Sequence, residues 1–198
     1  MIIATGAESV WLNIPGEMQL RGKGVSTCAT CDAFFFRNKD VVVVGGGDSA
    51  LEEAHVLANV AKSVTIIHRR GAFRASFAMQ ERIMKNPKIK VIWNKTVVKY
   101  LGTDKLAGII VRDVKEGREE ELKTDGVFVA IGHKPNTDKF KGIELDSKGY
   151  VKRREIKDEI GLLKYSSATS IGGVFVAGDV DDYRYRQAVT AAAFGCMA

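Results

Sequence analysis

Cys28-Ala-Thr-Cys31-Asp32 is the stretch of this sequence best equipped for chemistry. Two thiols three positions apart can close and reopen a disulfide within one short helix, and such pairs lower the pKa of one thiol and raise its reactivity. Asp32, directly after Cys31, is placed to supply or accept the proton that thiolate chemistry exchanges. The same pair also fits half of a zinc site or two simply buried cysteines. A zinc site needs two more ligands, while Cys196 is alone and His55, His68 and His133 are scattered. Cys196 itself, in Phe-Gly-Cys-Met-Ala, reads as a small packing residue of a helix.

A second chemistry-bearing group follows a few residues on. "VVVVGGGDSALEEA" sets Gly45-x-Gly47-x-x-Ala50 between a β-branched run and a helical pattern. In a dinucleotide site the first glycine makes the tight turn and the second lets a pyrophosphate approach the backbone. The small third residue lets the helix pack on the strand. The N–H groups at the start of the helix, around Asp48 and Ser49, then face the phosphates with a partial positive charge. A glycine turn without ligand has the same spacing, so the flanking strand and helix carry the reading.

The end of the next strand selects the nucleotide. An NAD site usually places Asp or Glu about 20 residues after the glycines to hold the ribose hydroxyls. Here the strand ends in His68-Arg69-Arg70, with Arg74 one turn later and no acid among them. Guanidiniums converging there match a 2′-phosphate, which arginine can hold with two hydrogen bonds. A solvated basic turn is the alternative, and NADPH is favoured over NADH.

These groups need elements to hold them. Valines 41–44 read as a parallel strand buried on both faces. Ala50, Leu51, Ala54, Leu57 and Ala58 recur at helical spacing, and "SVTIIH" at 63–68 is a second buried strand. A helix over about 76–85 is stopped by Pro87. Short strand-like runs at 91–101, 106–114, 119–124 and 127–131 follow, as an antiparallel meander and a return strand. Residues 1–6 and 173–178 read as short strands, and an Ala-rich helix begins near Gln187. Residues 9–26 are irregular, with Pro15, Gly16, Gly22 and Gly24, and read as a linker. The fold class is α/β.

Composition limits the alternatives. The chain has 198 residues, 45% of them hydrophobic and 27% charged, which is ordinary for a globular protein. Its net charge of +6 comes from 30 basic residues interspersed with 24 acidic ones, without a basic stripe carrying aromatics, which argues against nucleic acid. No apolar run reaches the roughly 18 residues of a membrane span, and the N-terminus lacks a signal-peptide pattern. Three cysteines, two of them in C-x-x-C, fit a reducing, cytoplasmic setting.

Taken together, "TCATCDAFFFRNKDVVVVGGGDSALEEA", "IHRRGAFRA", "VAIGHKPNT" and "GVFVAGDVDDYRYRQAVTAAAFGCMA" resemble the low-molecular-weight flavoprotein thioredoxin reductases. The C-A-T-C-D form is unlike the related alkyl hydroperoxide reductase flavoprotein, and ferredoxin-type reductases lack the pair. The resemblance implies electron flow from NADPH to FAD, to the Cys28–Cys31 disulfide, and on to thioredoxin. Cys31 would face the flavin, Cys28 would attack the partner's disulfide, and Asp32 would act as the general acid. Gly45, Gly47, Asp48, Ser49 and Ala50 would hold the pyrophosphate region of NADPH, with His68, Arg69, Arg70 and Arg74 around its 2′-phosphate. On the FAD side the resemblance implies Thr5 and Gly6 at a turn near the cofactor, Gly178 and Asp179 at its ribityl and phosphate portion, and Arg186, Gln187 and Ala188 beside the flavin ring. Asp179 could equally cap the turn that follows its strand.

The same resemblance divides the chain. Residues 1–21 would be a partial FAD-binding segment and linker, and 22–150 a Rossmann-like NADPH-binding domain with the dithiol. Residues 151–170 would be a charged linker and 171–198 a second partial FAD segment. Family members carry a further glycine-loop fold ahead of the position of Met1, which this sequence lacks, and the chain stops inside its final helix. Domain rotation about linkers near 16–25 and within 134–170 is expected, as is a homodimer in the intact parent. Residues 152–168 are strongly charged and read as a surface loop. Two rival functions remain: an NADPH-binding redox sensor without turnover, and a reductase serving a peroxidase-type or other dithiol protein.

Overall fold

The computed structural model describes residues 1–161 and 163–198. From the N-terminus the chain forms β1 (Ile2–Ile3), β2 (Ala7–Ser9), a helical turn α1 (Glu17–Leu20) and β3 (Val25–Ser26). A second turn, α2 (Ala29–Asp32), continues as 3-10 helix over Ala33–Phe36. Then come β4 (Asp40–Val44), α3 (Asp48–Ala58), β5 (Ser63–His68), α4 (Phe77–Met84) and β6 (Ile89–Trp93). The strands β7 (Lys95–Leu101), β8 (Gly108–Asp113), β9 (Glu119–Lys123) and β10 (Gly126–Val129) follow. The remaining elements are β11 (His133–Pro135), β12 (Arg154–Lys157), β13 (Leu163–Ala168), β14 (Phe175–Val176) and α5 (Ala188–Met197).

Val10–Gly132 form one compact unit. Its centre is a five-stranded parallel sheet in the order β3-β10-β4-β5-β6. All four valines of β4 are buried because both faces of the sheet are covered. Val41 and Val43 pack with Leu51, Ala54 and Leu57 of α3, while Val42 and Val44 pack with Val97, Tyr100, Ile109 and Val111 of the meander. Each fully buried valine contributes about 1.5–3 kcal/mol. The antiparallel meander runs β7-β8-β9. Residues 91–101, read as one strand from sequence, belong to two sheets. Asn94, at φ 56°, turns the chain out of β6 and into β7.

Of the segment read as a linker over 9–26, all but Ser9 is a packed part of this unit. Leu20 is fully buried, and Trp11, Leu12 and Ile14 lie against the meander-side core. Glu17, only 2% exposed, accepts the backbone N–H groups of Leu12 (3.1 Å) and Asn13 (2.7 Å) and the Tyr100 hydroxyl (3.2 Å). A segment without regular structure can be buried once its backbone donors have partners, and here one carboxylate supplies them.

Met1–Ser9 and His133–Ala198 form the other unit. It holds a four-stranded sheet, β1-β14-β13-β12, and the antiparallel pair β2-β11. Ile3, Ile143, Val151, Val174, Val176 and Val180 make its core. Residues 152–168 are not a surface loop: β12 and β13 pair antiparallel, and Ala168 joins Phe175 of β14. The charges there have partners elsewhere in the unit. Lys152 and Arg154 reach Glu144 at 2.9 Å each, and Arg153 pairs with buried Asp181. Leu162, within that stretch, lies outside the described residues. The chain passes between the units after Ser9 and after Gly132, and the sequence reading set 1–21, 22–150, 151–170 and 171–198 apart.

Candidate functional site

The dithiol sits where β3 leaves the parallel sheet. Ser26, the last residue of that strand, is paired with Phe128 of β10, so the turn that follows starts from fixed backbone. Cys28 and Cys31 are joined as a disulfide. The Cys28 sulfur accepts the Cys31 N–H at 3.2 Å and the Cys28 carbonyl accepts the Asp32 N–H at 3.1 Å, closing the turn. Buried Ala29 and Ala33 anchor it to the helix-side core. Cys31 is exposed and Cys28 half-buried. Asp32 is half-buried, and its Oδ2 accepts a 2.6 Å hydrogen bond from the Ser26 hydroxyl. That hydroxyl in turn accepts the Cys28 N–H at 3.1 Å. Ser26 was not singled out from the sequence. Its signal is local, a serine whose hydroxyl meets the amide two residues on. Next to the turn, Phe34 and Phe35 are 70% and 68% exposed, an apolar patch beside the disulfide.

The glycine loop divides its labour residue by residue. Gly45 has φ +155°, and a Cβ there would overlap the Ala130 carbonyl and lie 2.7 Å from the Ala50 Cβ. A Cβ on Gly46 would overlap the His68 ring. Gly47 has nothing within 4 Å of its Cβ position, and its carbonyl accepts the N–H groups of Ala50 and Leu51 at 3.0 and 3.2 Å. The open approach is therefore at Gly47, directly before the first residue of α3. This cradle, filled if a Cβ were added, fits a dinucleotide phosphate.

Three residues read as nucleotide ligands are tied to the protein. Asp48 Oδ1 accepts the Ser76 N–H at 2.8 Å, which holds its carboxyl below the usual carboxylate range. With the 2.8 Å bond from the Arg74 N–H to the Gly46 carbonyl, this pins the 74–76 segment to the glycine loop. His68 is buried beneath Gly46, its Nε2 3.1 Å from the Ala72 carbonyl and its ring beside Phe73 and Trp93. Burial pushes its pKa below the usual histidine value. His68 thus supports the loop from below. Ala50 is fully buried and meets the loop from the helix side. The side chains of Arg69, Arg70 and Arg74 are exposed and enter no ion pair among the described residues, so three cations stand uncompensated at one strand end.

The remaining candidates belong to the other unit. Thr5 donates to the Asn136 carbonyl at 2.8 Å, and Asn136 Nδ2 donates to the Thr5 carbonyl at 3.0 Å, framing Gly6 at φ +71°. Gly178, at φ +80°, opens a 3-10 turn over Gly178–Val180. Oδ1 of Asp179 is buried without a hydrogen bond, and burial followed by Asp182 pushes its pKa up. A buried carboxylate oxygen lacking a donor fits a hydroxyl-bearing ligand such as the ribityl chain of FAD. Asp182 accepts the backbone N–H groups of Arg184, Tyr185 and Arg186, each at 2.9 Å, which holds Arg186 at φ 51°. The Arg186 guanidinium meets Nδ1 of His133. Gln187 caps α5 with Thr190 in a reciprocal box, and Ala188 is the first residue of that helix.

A family model described as pyridine nucleotide-disulphide oxidoreductase matches residues 1–195. The chain is 50% identical over 199 residues to a thioredoxin reductase of Streptomyces clavuligerus, covering 100% of this chain and 59% of that protein. It is 50% identical over 202 residues to one from Rickettsia prowazekii (strain Madrid E), covering 62% of it. Among solved structures, thioredoxin reductase from Streptococcus pyogenes MGAS5005 superposes with a TM-score of 0.86 at 41% identity, and that from Giardia duodenalis with 0.87 at 40%. In both cases all of this chain and 62% of the other is covered. The chain thus spans about three fifths of the length of the relatives it matches.

Proposed function

The chain belongs to the pyridine nucleotide-disulphide oxidoreductase family, and from that premise we propose that it carries the NADPH-binding and dithiol parts of a thioredoxin reductase. The observation that carries this reading is one unit holding both a disulfide with an exposed cysteine and a glycine loop flanked by three arginines that enter no ion pair among the described residues. When bound, NADPH supplies the hydride and FAD relays its two electrons to the disulfide.

The residues of the chain do the rest. The backbone at Gly45 and Gly47, with the N-terminus of α3 from Asp48 and Ser49 to Ala50, receives the pyrophosphate. Arg69, Arg70 and Arg74 hold the 2′-phosphate and so select NADPH over NADH. Gly178 and Asp179 would hold the ribityl and phosphate portion of FAD, the turn at Thr5 and Gly6 would lie near that cofactor, and Arg186, Gln187 and Ala188 would lie beside its ring. Once reduced, Cys28 as thiolate attacks one sulfur of the thioredoxin disulfide. The thioredoxin sulfur that leaves takes a proton from Asp32. Cys31, as thiolate, then attacks the Cys28 sulfur, the bond from Cys28 to thioredoxin breaks, and the departing thioredoxin thiolate takes a proton from water, which restores the intramolecular disulfide and releases dithiol thioredoxin. Phe34 and Phe35 give a protein acceptor an apolar surface at the reacting bond, which favours thioredoxin over a small disulfide. A homodimeric parent and a reducing cytoplasm complete the reading. No helix among the described residues is long and apolar enough to cross a membrane.

The test is to supply FAD, then follow NADPH oxidation with oxidised thioredoxin and, side by side, with an oxidised peroxidase-type dithiol protein. Faster turnover with thioredoxin, lost in Cys28→Ser, is the expected result. With FAD shown to be bound, NADPH binding without any electron reaching Cys28–Cys31 would make the chain a redox sensor and overturn the proposal.

A further inference from the structure

We propose that Ser26 is a positioning residue for proton transfer at the dithiol, acting through Asp32. The inference deepens the reductase reading and rests on it for the role of Asp32. Ser26 is 8% exposed and its hydroxyl spans the two partners that matter. It donates to Asp32 Oδ2 at 2.6 Å and accepts the Cys28 N–H at 3.1 Å. An ionised carboxylate only accepts, so the single hydroxyl proton points to Asp32 while a hydroxyl lone pair takes the Cys28 N–H. Ser26 is itself held by the pairing of β3 with β10, so the sheet sets the position of the carboxylate.

The geometry assigns different tasks to the two carboxylate oxygens. Oδ2 is occupied by Ser26. No described residue donates a hydrogen bond to Oδ1, and on this proposal that oxygen exchanges a proton with sulfur. In the forward step the Cys28 thiol gives its proton to Asp32, and its sulfur bonds to one sulfur of a disulfide R–S–S–R. The S–S bond of R–S–S–R breaks, the pair of electrons leaves on RS⁻, and Asp32 returns the proton to it. Charge, atoms and electrons balance, and Asp32 ends as it began. Without Ser26 the carboxyl rotates about its side-chain torsions, and a group that must sit within hydrogen-bond reach is there for a smaller share of the time.

The test uses the 198-residue chain with glutathione disulfide as the probe. It needs neither NADPH nor flavin, so a failed reductase reading and a failed positioning role give different results. In a Cys31→Ser, Cys196→Ser background, which keeps the mixed disulfide on Cys28 from being resolved and removes the exposed third thiol, the reduced chain is mixed with glutathione disulfide over a range of pH from acid to mildly alkaline, and mixed-disulfide formation at Cys28 is quenched with acid and followed by mass. General acid–base catalysis contributes about 10²–10⁴-fold, and Ser26→Ala should lose about tenfold of it near neutral pH, with a changed pH–rate profile. Ser26→Thr, which keeps the hydroxyl, should stay within about twofold of the parent. Combined with Asp32→Asn, Ser26→Ala should add no further loss, because the two side chains act as one unit. Should Ser26→Ala not fold, Ser26→Thr against Ser26→Val compares side chains of the same shape with and without the hydroxyl. A parental rate in the variant lacking the hydroxyl overturns the proposal. So does an equal loss from Ser26→Ala with and without the Asp32→Asn change, since Ser26 would then serve only to hold the turn through the Cys28 amide.

Discussion

Replacing Gly45 by alanine and Gly47 by alanine should separate folding from nucleotide binding within one loop. At Gly45 the new methyl overlaps the Ala130 carbonyl and crowds the Ala50 Cβ, at a φ of +155° that alanine rarely adopts. Neither side can yield easily. The Gly45 N–H bonds the Ile67 carbonyl at 3.2 Å and the Ala130 N–H bonds the Val44 carbonyl at 2.9 Å, so three adjacent strands clamp the position. Backbone strain of about 1–3 kcal/mol and overpacking of about 1–3 kcal/mol together give about 2–6 kcal/mol of destabilisation. At Gly47, φ is −102° and nothing lies within 4 Å of the Cβ position, so the cost is about 1 kcal/mol or less, from the poorer helix cap. The methyl there instead fills the space a phosphate would enter, and NADPH affinity should fall at least about tenfold, or about 1.4 kcal/mol. Urea unfolding followed by tryptophan fluorescence suits the comparison, because both tryptophans, Trp11 and Trp93, lie in the unit that holds the loop. Calorimetric titration with NADPH gives the second number. A Gly45→Ala variant within about 1 kcal/mol of the parent, or a Gly47→Ala variant that unfolds early yet binds NADPH normally, would refute the division of roles.

Changing Arg69, Arg70 and Arg74 together to glutamine should weaken NADPH by about 10–100-fold and leave NADH nearly unaffected, as charge-assisted hydrogen bonds of this kind contribute about 1.5–3 kcal/mol. Equal losses for both nucleotides in a binding titration would show that they do not read the 2′-phosphate. Glu17→Ala orphans the Leu12 and Asn13 amides and the Tyr100 hydroxyl, and should cost at least about 3 kcal/mol in urea unfolding, against about 1 kcal/mol for Tyr100→Phe. Equal costs would mean that the backbone amides find other partners. His133 falls from an ordinary 6.5 to about 4, because burial disfavours its cation and Arg186 repels it. The unfolded chain takes a proton that the folded one refuses, so stability present above pH 6.5 is lost as the pH falls through about 4, by no more than about 3 kcal/mol. Asp181, raised to about 6 mainly by burial, acts in the opposite sense, losing its contribution as the pH rises through 6. Thermal melts of His133→Gln should therefore show a shallower acid loss than the parent, and identical slopes would contradict the assignment.

The parts of the fold carried by local pattern were legible in the sequence. Valines 41–44, the glycine spacing and the helical recurrence from Ala50 to Ala58 are signals within one short window, and the structure forms β4, the loop and α3 there. What was not legible depends on partners far along the chain. The buried segment at 9–26 looks like a linker until Glu17 meets Tyr100, 83 residues away. The hairpin within 152–168 looks like solvated charge until Arg153 meets Asp181 and Lys152 and Arg154 meet Glu144. His68 shows why site residues are harder to read than elements. A strand buried on both faces has no alternation, so nothing local indicates that its last residue turns under Gly46 while Arg69 and Arg70 turn outward.

The central claim is that electrons from NADPH reach the Cys28–Cys31 disulfide. The most direct measurement is the thiol count of those two cysteines after anaerobic incubation of the chain with FAD and NADPH, followed by alkylation and peptide mass analysis. Alkylated Cys28 and Cys31 are expected with NADPH, and far less alkylation with NADH. An intact Cys28–Cys31 disulfide with FAD and NADPH both bound would contradict it.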